Sequence, residues 1–333
     1  MKLKTVMMSA AASVSLMAGA TAAMADGHAI TVAYFLEWPM PMMAAKDSGA
    51  YEEALGMEVN WVSFETGTAM SAAMASGDVQ IAVSQGLPPF VVAVSGGQDL
   101  QLLDVAVSYA ENQGCVVNAN LEIDKTSASE LAGKTVAVPL GTAAHYSFIR
   151  HMNHFGVPLD SLTILDMDPP SGAAALSTGA VDFACGYGGG LTSMKEYGDV
   201  LLTGAEKQDI GILVFDVTSA PAAFIAENPE VVEKFLAVTA AANAAWAADP
   251  SDELLSVIAG QAGMDLDAAR SAISTMAFPT IEEQLSEAWL GGNAAPFMKG
   301  VADVFVGAGS IDAALDSYEA AVNAGPLAAA GDM

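Results

Sequence analysis

The sequence predicts an α/β protein made of two similar lobes, with a largely helical tail at its C-terminal end. Short β-branched runs alternate with helical segments over the first two thirds of the chain, a pattern typical of parallel-rich sheets. One pattern of helix end, glycine break and apolar strand occurs twice, as AAMASGDVQIAVS at 72–84 and AALSTGAVDFACG at 174–186. Beyond Pro229 the chain is almost wholly helical, and we assign this tail to the first lobe.

The first lobe is predicted from strands that end in turn-forming residues. Its predicted strands are 30–34, 59–64, 79–83 and 100–107, and the helices between them are 42–54, 69–75 and 88–94. The repeated pattern indicates that this lobe has an equivalent in the second half of the chain. The alternative is that two ordinary strand–helix–strand units converge on the same pattern.

The second lobe is organised around residues 135–155, TVAVPLGTAAHYSFIRHMNHF. The β-branched run 135–138 ends at Pro139, Gly141 permits a tight turn, and Thr142 is a good N-cap for the helix that follows. Free amides and the helix dipole make such a corner suited to an anion, to which His145 could also donate. The alternative is a plain capped turn with a core histidine.

The N-terminal residues have the features of a secretory signal. The chain begins MKLK, continues with small and apolar residues, and reaches an A-x-A site at Ala23–Ala25. This combination predicts a signal peptide over residues 1–25, cleaved after Ala25, and a periplasmic protein. The apolar core is too short to remain as a membrane anchor.

The composition is strongly acidic. The formal net charge is −28, and it becomes −30 once Lys2 and Lys4 leave with the signal peptide. Such a charge argues against nucleic acid and anionic membrane surfaces as partners. Arginine occurs only at Arg150 and Arg270, so an anionic ligand would have to be held mainly by amides and dipoles.

The sequence shows no pattern typical of a metal or cofactor site. Cys115 and Cys185 are 70 residues apart; export permits a disulfide, but we expect two separate buried thiols. No Cys/His cluster has the spacing of zinc ligands, and no cofactor is predicted. On the helix after Thr142, we expect Arg150, His151 and His154 to face solvent.

Ligands of open α/β sheets gather outside the carboxyl ends of the strands, and this rule predicts one cleft. The first crossing between lobes is expected after the strand 100–107, around Glu111. The return crossing is expected at 211–217, with Asp216 near its end. The candidate ligand-binding residues at these strand ends are Tyr34, Glu37, Trp38, Ser84, Gln85, Glu111, Thr142, His145, Tyr187 and Asp216.

Several segments resemble the periplasmic substrate-binding proteins of ABC importers, in the family for taurine, alkanesulfonates and nitrate. They are VAYFLEWP at 32–39, ASGDVQIAVSQG at 75–86, ELAGKTVAVPLGTAAHYS at 130–147, LDMDPPSGAAAL at 165–176 and FDV at 215–217. The resemblance is strongest for taurine-binding proteins and covers about residues 30–320. It implies a type II periplasmic-binding-protein fold with a ligand cleft between the lobes. The implied division is 26–115 with 217–333 as lobe 1, and 116–216 as lobe 2.

The resemblance implies capture of taurine and its delivery to an inner-membrane ABC permease with its ATPase, without catalysis. The amide-rich turn at Thr142 would hold the sulfonate, with Ser84 and Gln85 as further donors. Glu37, Glu111 or Asp216 would pair with the ammonium, beside the aromatic rings of Tyr34, Trp38 and Tyr187. Such proteins often have a tryptophan-containing segment where this chain has Tyr187 followed by three glycines, which leaves the shape of that wall open.

Other functions remain as alternatives from the sequence. The same fold could bind another small sulfonate, nitrate or a small amine. A secreted serine hydrolase using Ser84 and His145 is a remote alternative, because AVSQG at 82–86 has Ala82 where a nucleophile elbow needs glycine.

Overall fold

The computed structural model describes residues 29–212 and 215–333. The predicted signal peptide and its cleavage site lie outside these residues. The strands are β1 Ala29–Tyr34, β2 Glu58–Ser63, β3 Ile81–Gly86, β4 Leu100–Tyr109, β5 Gln113–Asn118, β6 Thr135–Val138, β7 Thr163–Asp166, β8 Phe183–Tyr187, β9 Gly198–Val200, β10 Phe215–Pro221 and β11 Met276–Ala277.

The α-helices lie between the strands and in the C-terminal third. They are α1 Met42–Ser48, α2 Ala50–Leu55, α3 Gly67–Ser76, α4 Leu87–Ser95, α5 Ala143–Phe155, α6 Pro169–Ser177, α7 Gly188–Met194, α8 Gly204–Asp209, α9 Ala222–Glu227, α10 Pro229–Ala248, α11 Asp252–Ala262, α12 Leu266–Ile273, α13 Ile281–Leu285, α14 Ala294–Gly307 and α15 Gly325–Ala330. In this part of the chain, no helix is both long and apolar enough to cross a bilayer.

Two sheets form two lobes, and the second sheet has the topology of the first without the edge strand β11. The first has the order β11-β4-β10-β3-β1-β2 and the second β7-β6-β8-β5-β9. In each, three strands are parallel, and the next strand, β10 or β5, runs antiparallel to them. Each of these antiparallel strands is the first strand after the chain crosses from the other lobe. The chain therefore enters each sheet at the equivalent position.

The repeated sequence pattern occupies equivalent positions in the two lobes. Helix α3 ends at Gly77 and helix α6 is followed by Gly179, both glycines in the left-handed region. The chain then enters β3 or β8, which pairs in parallel with β1 or β6. The predicted equivalence of the two segments is therefore confirmed, and chance convergence is not needed to explain it.

Local sequence explains where individual elements begin and break. The single helix predicted over 42–54 is divided into α1 and α2, because Gly49 adopts a left-handed conformation with φ of 72°. Thr142 caps α5 as predicted, its hydroxyl oxygen accepting from the amide of His145 at 3.4 Å. Such a cap contributes about 1 kcal/mol to helix stability.

The C-terminal helices pack on the first lobe. α10 contacts α1, α2 and α15, while α14 packs on α4, and α15 contacts strand β4. α14 also reaches α5 of the second lobe. The sheets place residues 113–115 in the second lobe and Phe215 and Asp216 in the first, so the lobe boundaries differ slightly from those expected from the sequence.

The expectation of two separate thiols is wrong, since Cys115 and Cys185 form a disulfide. The two residues are directly paired in the antiparallel register of β5 and β8. A separation of 70 residues gave no indication of this, because β5 and β8 are neighbours in the sheet but are separated along the chain by β6 and β7. The bond ties the strand nearest the first crossing to the centre of the second sheet.

Candidate functional site

A cavity lies between the lobes at the carboxyl ends of the parallel strands. The first lobe contributes residues that follow β1, β2 and β3, and the second contributes the starts of α5, α6 and α7. Its volume is about 60 Å³, several times what one buried water requires. The candidate residues lining it are Glu37, Trp38, Thr142, Tyr187 and Asp216.

Asp216 is buried in this lining, with only 2% of its surface exposed. Oδ1 accepts a hydrogen bond from the Tyr109 hydroxyl at 2.7 Å, and Oδ2 accepts one from the Ser84 hydroxyl at 2.7 Å. Ser84 Oγ in turn accepts from Trp38 Nε1 at 2.9 Å. These bonds fix the carboxylate and the indole in one orientation within the first lobe.

Burial raises the pKa of the Asp216 carboxyl to about 7, although the hydrogen bonds from Ser84 and Tyr109 act in the opposite direction. A carboxylate in this position lacks the solvation that water would provide. A cationic group entering the cavity would supply the missing stabilisation. The arrangement is therefore suited to an ammonium group.

Thr142 and Ala143 line the side of the cavity that the second lobe forms, at the first turn of α5. Amides in the first turn of a helix have no acceptor within the helix, and the helix dipole adds a partial positive charge. The Thr142 side chain serves the turn itself, donating to the carbonyl of Pro139 at 2.6 Å. The anion-binding capacity of this corner therefore lies in its amides.

The two lobes contact each other around the cavity. The Tyr187 hydroxyl of the second lobe donates to the backbone carbonyl of Glu65 in the first at 3.0 Å. The Tyr187 and Phe35 ring centroids are 6.1 Å apart. A Cβ built on Gly141 would lie 3.1 Å from Cγ2 of Thr68. The conformation is therefore closed over the cavity.

The glycine run after Tyr187 is filled by residues from elsewhere. A Cβ on Gly189 would lie 1.4 Å from Oε2 of Glu37, and a Cβ on Gly190 would lie 2.5 Å from Cβ of Pro169. The wall left open by the sequence is thus closed by the Glu37 side chain of the first lobe. Bulky residues at Gly189 or Gly190 would collide with these groups.

Other candidate residues lie outside the lining. Tyr34 packs edge-on against Trp61, and Lys46 lies over the Tyr34 ring. Gln85 is buried and bonds to Gly67, Ser71 and Ser219. Glu111 lies in the first crossing and accepts from the amide of Gly204, at the start of α8, at 2.8 Å. Ser84 acts through Asp216 and Trp38, so its expected role as a donor to the ligand is replaced by a positioning one.

His145 is buried, and its Nδ1 accepts a hydrogen bond from the amide of Gly141 at 3.0 Å. Its ring stacks on Phe305 of α14, with centroids 5.3 Å apart. Burial lowers its pKa to about 4, so the imidazole is neutral at pH 7. His145 is also absent from the lining of the cavity, so its expected donation to a bound anion is not supported; the residue stabilises the turn and the contact with α14.

The expected exposure of the α5 side chains is correct only for His154. Arg150 is half-buried and donates from Nη2 to the carbonyl of Ile210 at 2.8 Å. His151 is buried, and both of its ring nitrogens lack a hydrogen-bond partner among the described residues. Burial lowers the His151 pKa to about 3, and the nearby charge of Lys207 acts in the same direction.

The lining also contains residues that the sequence did not indicate. Tyr109 is the last residue of β4, and its hydroxyl bonds to Asp216. Its position at a strand end could have indicated it as a candidate. Phe35, Phe64 and Pro169 complete the apolar walls. No lysine or arginine is present among the described residues of the lining, and three acids are, namely Glu37, Glu65 and Asp216.

The described residues contain no group of three or more potential ligands able to hold a metal ion. The chemistry available in the cavity is therefore a buried carboxylate with aromatic neighbours in one lobe and helix amides in the other. A small molecule carrying both a cationic and an anionic group would match the two sides.

The proteins that this chain is similar to include periplasmic binding proteins. The chain is 28% identical over 221 residues to the taurine-binding periplasmic protein of Escherichia coli (strain K12), covering 66% of this chain and 67% of that one. Other curated relatives are matched over only about 60% of their length. The aliphatic sulphonate binding protein SsuA from Escherichia coli has a similar structure, with a TM-score of 0.67 at 19% identity over 87% of this chain and 95% of that one.

The same fold occurs in an enzyme, the desulfurization enzyme DSZB, with a TM-score of 0.63 at 14% identity over 92% of this chain and 99% of that one. The predicted two-lobed α/β fold of periplasmic binding proteins is confirmed by these similarities. The model of the family described as NMT1/THI5 like matches residues 39–253. This match covers more than half of the chain, which therefore belongs to the NMT1/THI5-like family.

Proposed function

We propose that this protein captures taurine in the periplasm and delivers it to the permease of an ABC importer. Its curated relatives include a periplasmic binding protein named for taurine, which supports the class of function. The observation that carries the proposal is the buried Asp216 carboxylate, which shares one small cavity with the first-turn amides of α5. Taurine carries an ammonium and a sulfonate separated by two carbons, so it can engage both.

The charges of the lining favour a zwitterion over a simple anion. A nitrate ion or an alkanesulfonate would enter a cavity lined by Glu37, Glu65 and Asp216 without a lysine or arginine in the described lining. Like charges in a site of low dielectric raise the cost of binding. An ammonium on the same ligand offsets this cost by pairing with Asp216, and it can also contact the ring faces of Trp38 and Tyr109.

The hydrogen bonds do not support a serine hydrolase. Ser84 donates to Asp216, while His145 Nδ1 accepts from the Gly141 amide. A nucleophile of this kind needs an adjacent general base within hydrogen-bond reach. The curated relative matched over two thirds of its length is a binding protein, and the chain is not assigned a catalytic reaction.

Isothermal titration calorimetry with matched small ligands tests the proposal. Taurine should bind, while ethanesulfonate, ethylamine and nitrate, each lacking one of the two groups or their spacing, should bind at least about tenfold more weakly. Nitrate or ethanesulfonate binding as tightly as taurine would contradict the zwitterion assignment. Ethylamine binding as tightly would favour a small amine as ligand.

A further inference from the structure

Glu37 stands at the junction of the inner cavity and two outer grooves. We propose that its side chain sets the upper limit on the length of the ligand, acting as a specificity-determining plug. This inference rests on the proposed function for the identity of the ligand. The observation behind it is that Glu37 and Gly189 line all three spaces.

The two outer grooves are larger than the inner cavity. One lies beside α6 and α7, with a volume of about 360 Å³, and is lined by exposed residues such as Ser177 and Ser193. The other lies between α7 and the α11–α12 turn, with a volume of about 320 Å³, and includes Met264 and Ala268. A ligand extending past Gly189 would have room in either groove.

The Glu37 side chain occupies the passage between these spaces. Its Oε2 lies so close to Gly189 that an added Cβ would be 1.4 Å away. The carboxylate of the first lobe therefore lies directly on the backbone of the second, with no side chain between them. A molecule filling the inner cavity cannot extend along this line while Glu37 keeps its position.

The backbone holds Glu37 in this position. Its φ is +54°, a left-handed conformation that is uncommon for residues other than glycine. Its amide donates to the carbonyl of Ala262 at 2.8 Å, which anchors the turn to the end of α11. The neighbouring Trp38 is fixed by Ser84. The turn is thus braced on both sides, and the side chain is directed across the interface.

This arrangement separates the roles of the two acids nearest the aromatic rings. Asp216 is buried at the base of the inner cavity and is fixed by two hydrogen bonds, which suits recognition of a cationic group. Glu37 is exposed at the outer boundary, where the space that it occupies matters more than its charge. Removing the side chain should therefore change which lengths bind, while removing only its charge should not.

The test measures affinity as a function of chain length by calorimetry. The ligands are ω-amino acids with about two to six carbons in three series, carrying a sulfonate, a carboxylate or a phosphonate group. The proteins are the parent, Glu37→Gly and Glu37→Gln. Glycine tolerates the positive φ of this position, so Glu37→Gly is expected to fold, which a melting curve verifies. Glu37→Gln is the matched control that keeps the size and removes the charge.

The parent and Glu37→Gln should both lose about tenfold or more in affinity as the chain grows from two to about four carbons. Glu37→Gly should bind the longer members within about threefold of the shortest. An unchanged length profile in Glu37→Gly would overturn the inference. An equal loss of affinity for the shortest ligand in both variants, with no change in the length limit, would also overturn it. Glu37 would then be a partner of the ammonium.

The two proposals fail in different ways. If only the carboxylates or phosphonates bind, and Glu37→Gly extends their length limit, taurine capture is wrong while the plug is supported. If taurine binds and the limit does not move, the plug is wrong while taurine capture stands. If none of the series binds to any of the three proteins, both proposals are overturned.

Discussion

The Tyr109 hydroxyl donates a 2.7 Å hydrogen bond to Oδ1 of Asp216, joining the ends of two neighbouring strands. Tyr109 ends β4 and Asp216 is the second residue of β10, beside Val107 in the antiparallel register. The indole of Trp38 lies edge-on to the Tyr109 ring, with centroids 4.7 Å apart. The position of the carboxylate is therefore set by the first sheet before any ligand enters.

Tyr109→Phe should weaken taurine binding by about 1.5–3 kcal/mol, the usual contribution of a hydrogen bond to a charged group. The ring and its packing against Trp38 remain, but the ionised carboxylate loses one donor. Calorimetry measures the change. Tyr51→Phe is the control, since the Tyr51 hydroxyl bonds Thr239 outside the lining. An unchanged affinity in Tyr109→Phe would show that this bond does not support binding.

Taurine affinity should rise with pH up to about 7 and then level off. The Asp216 pKa is raised to about 7 by burial in the unliganded protein, and the ammonium binds the ionised form. Below that pH, binding must release a proton, so affinity should fall about tenfold per pH unit. Titrations at pH 5 to 8 test this, and a flat profile would contradict it.

The same group affects stability in the opposite direction. A carboxyl whose pKa is higher in the folded than in the unfolded protein keeps its proton on folding. The contribution of Asp216 to the free energy of unfolding of the ligand-free protein should therefore fall as the pH rises from about 4 to 7. Asp104, whose pKa burial raises to about 6, contributes with the same sign. His145 and His151, whose pKa values burial lowers, contribute with the opposite sign, so the parent must be compared with a variant. Asp216→Asn should remove only its own part of the slope in urea titrations.

Arg150→Ala should reduce stability and leave taurine affinity nearly unchanged. Its guanidinium joins α5 to the carbonyl of Ile210 and lies outside the lining. Loss of this charged hydrogen bond should cost about 1–3 kcal/mol, reduced because the side chain is only half-buried. Urea unfolding and calorimetry measure the two effects. A large loss of affinity with unchanged stability would mean that an arginine holds the sulfonate.

Replacing Cys115 and Cys185 together by alanine should lower the free energy of unfolding by about 4 kcal/mol. The bond closes a loop of about 70 residues, and the chain-entropy model gives a value of this size. Chemical unfolding of the variant, compared with the parent under oxidising conditions, measures the change. The parent unfolding at the same denaturant concentration with and without reductant would contradict a structural role for the disulfide.

The sequence was sufficient for much of the fold because its signals are local. Glycine breaks such as Gly77 and Gly179, and the cap at Thr142, depend on neighbouring residues alone. The pairing of Cys115 with Cys185 depends on the order and register of β5 and β8 within the second sheet, which no local pattern encodes. The division of the helix at Gly49 was missed because a single glycine is often tolerated within a helical pattern.

The site was predicted in part for the same reason. The rule of strand ends identified the region of Asp216, Trp38 and Thr142, but it does not say which way a side chain points. Tyr34 and Gln85 are next to strand ends and turn away from the cavity. His145 lies in the first turn of α5, as predicted, but its Nδ1 accepts a hydrogen bond from the Gly141 amide within the same turn. The role of Glu37 depends on the approach of Gly189 from the other lobe, which only the tertiary structure shows.

The most direct test compares taurine with ethanesulfonate on the parent protein and on Asp216→Asn. Asparagine keeps the shape of the side chain and removes the charge that would pair with the ammonium. We predict that calorimetry will show taurine weakened by about 2–4 kcal/mol, and ethanesulfonate unchanged or strengthened, because a charge that repels an anion is removed. An equal loss for both ligands would contradict the account, because Asp216 would then support the fold of the site without recognising the ammonium.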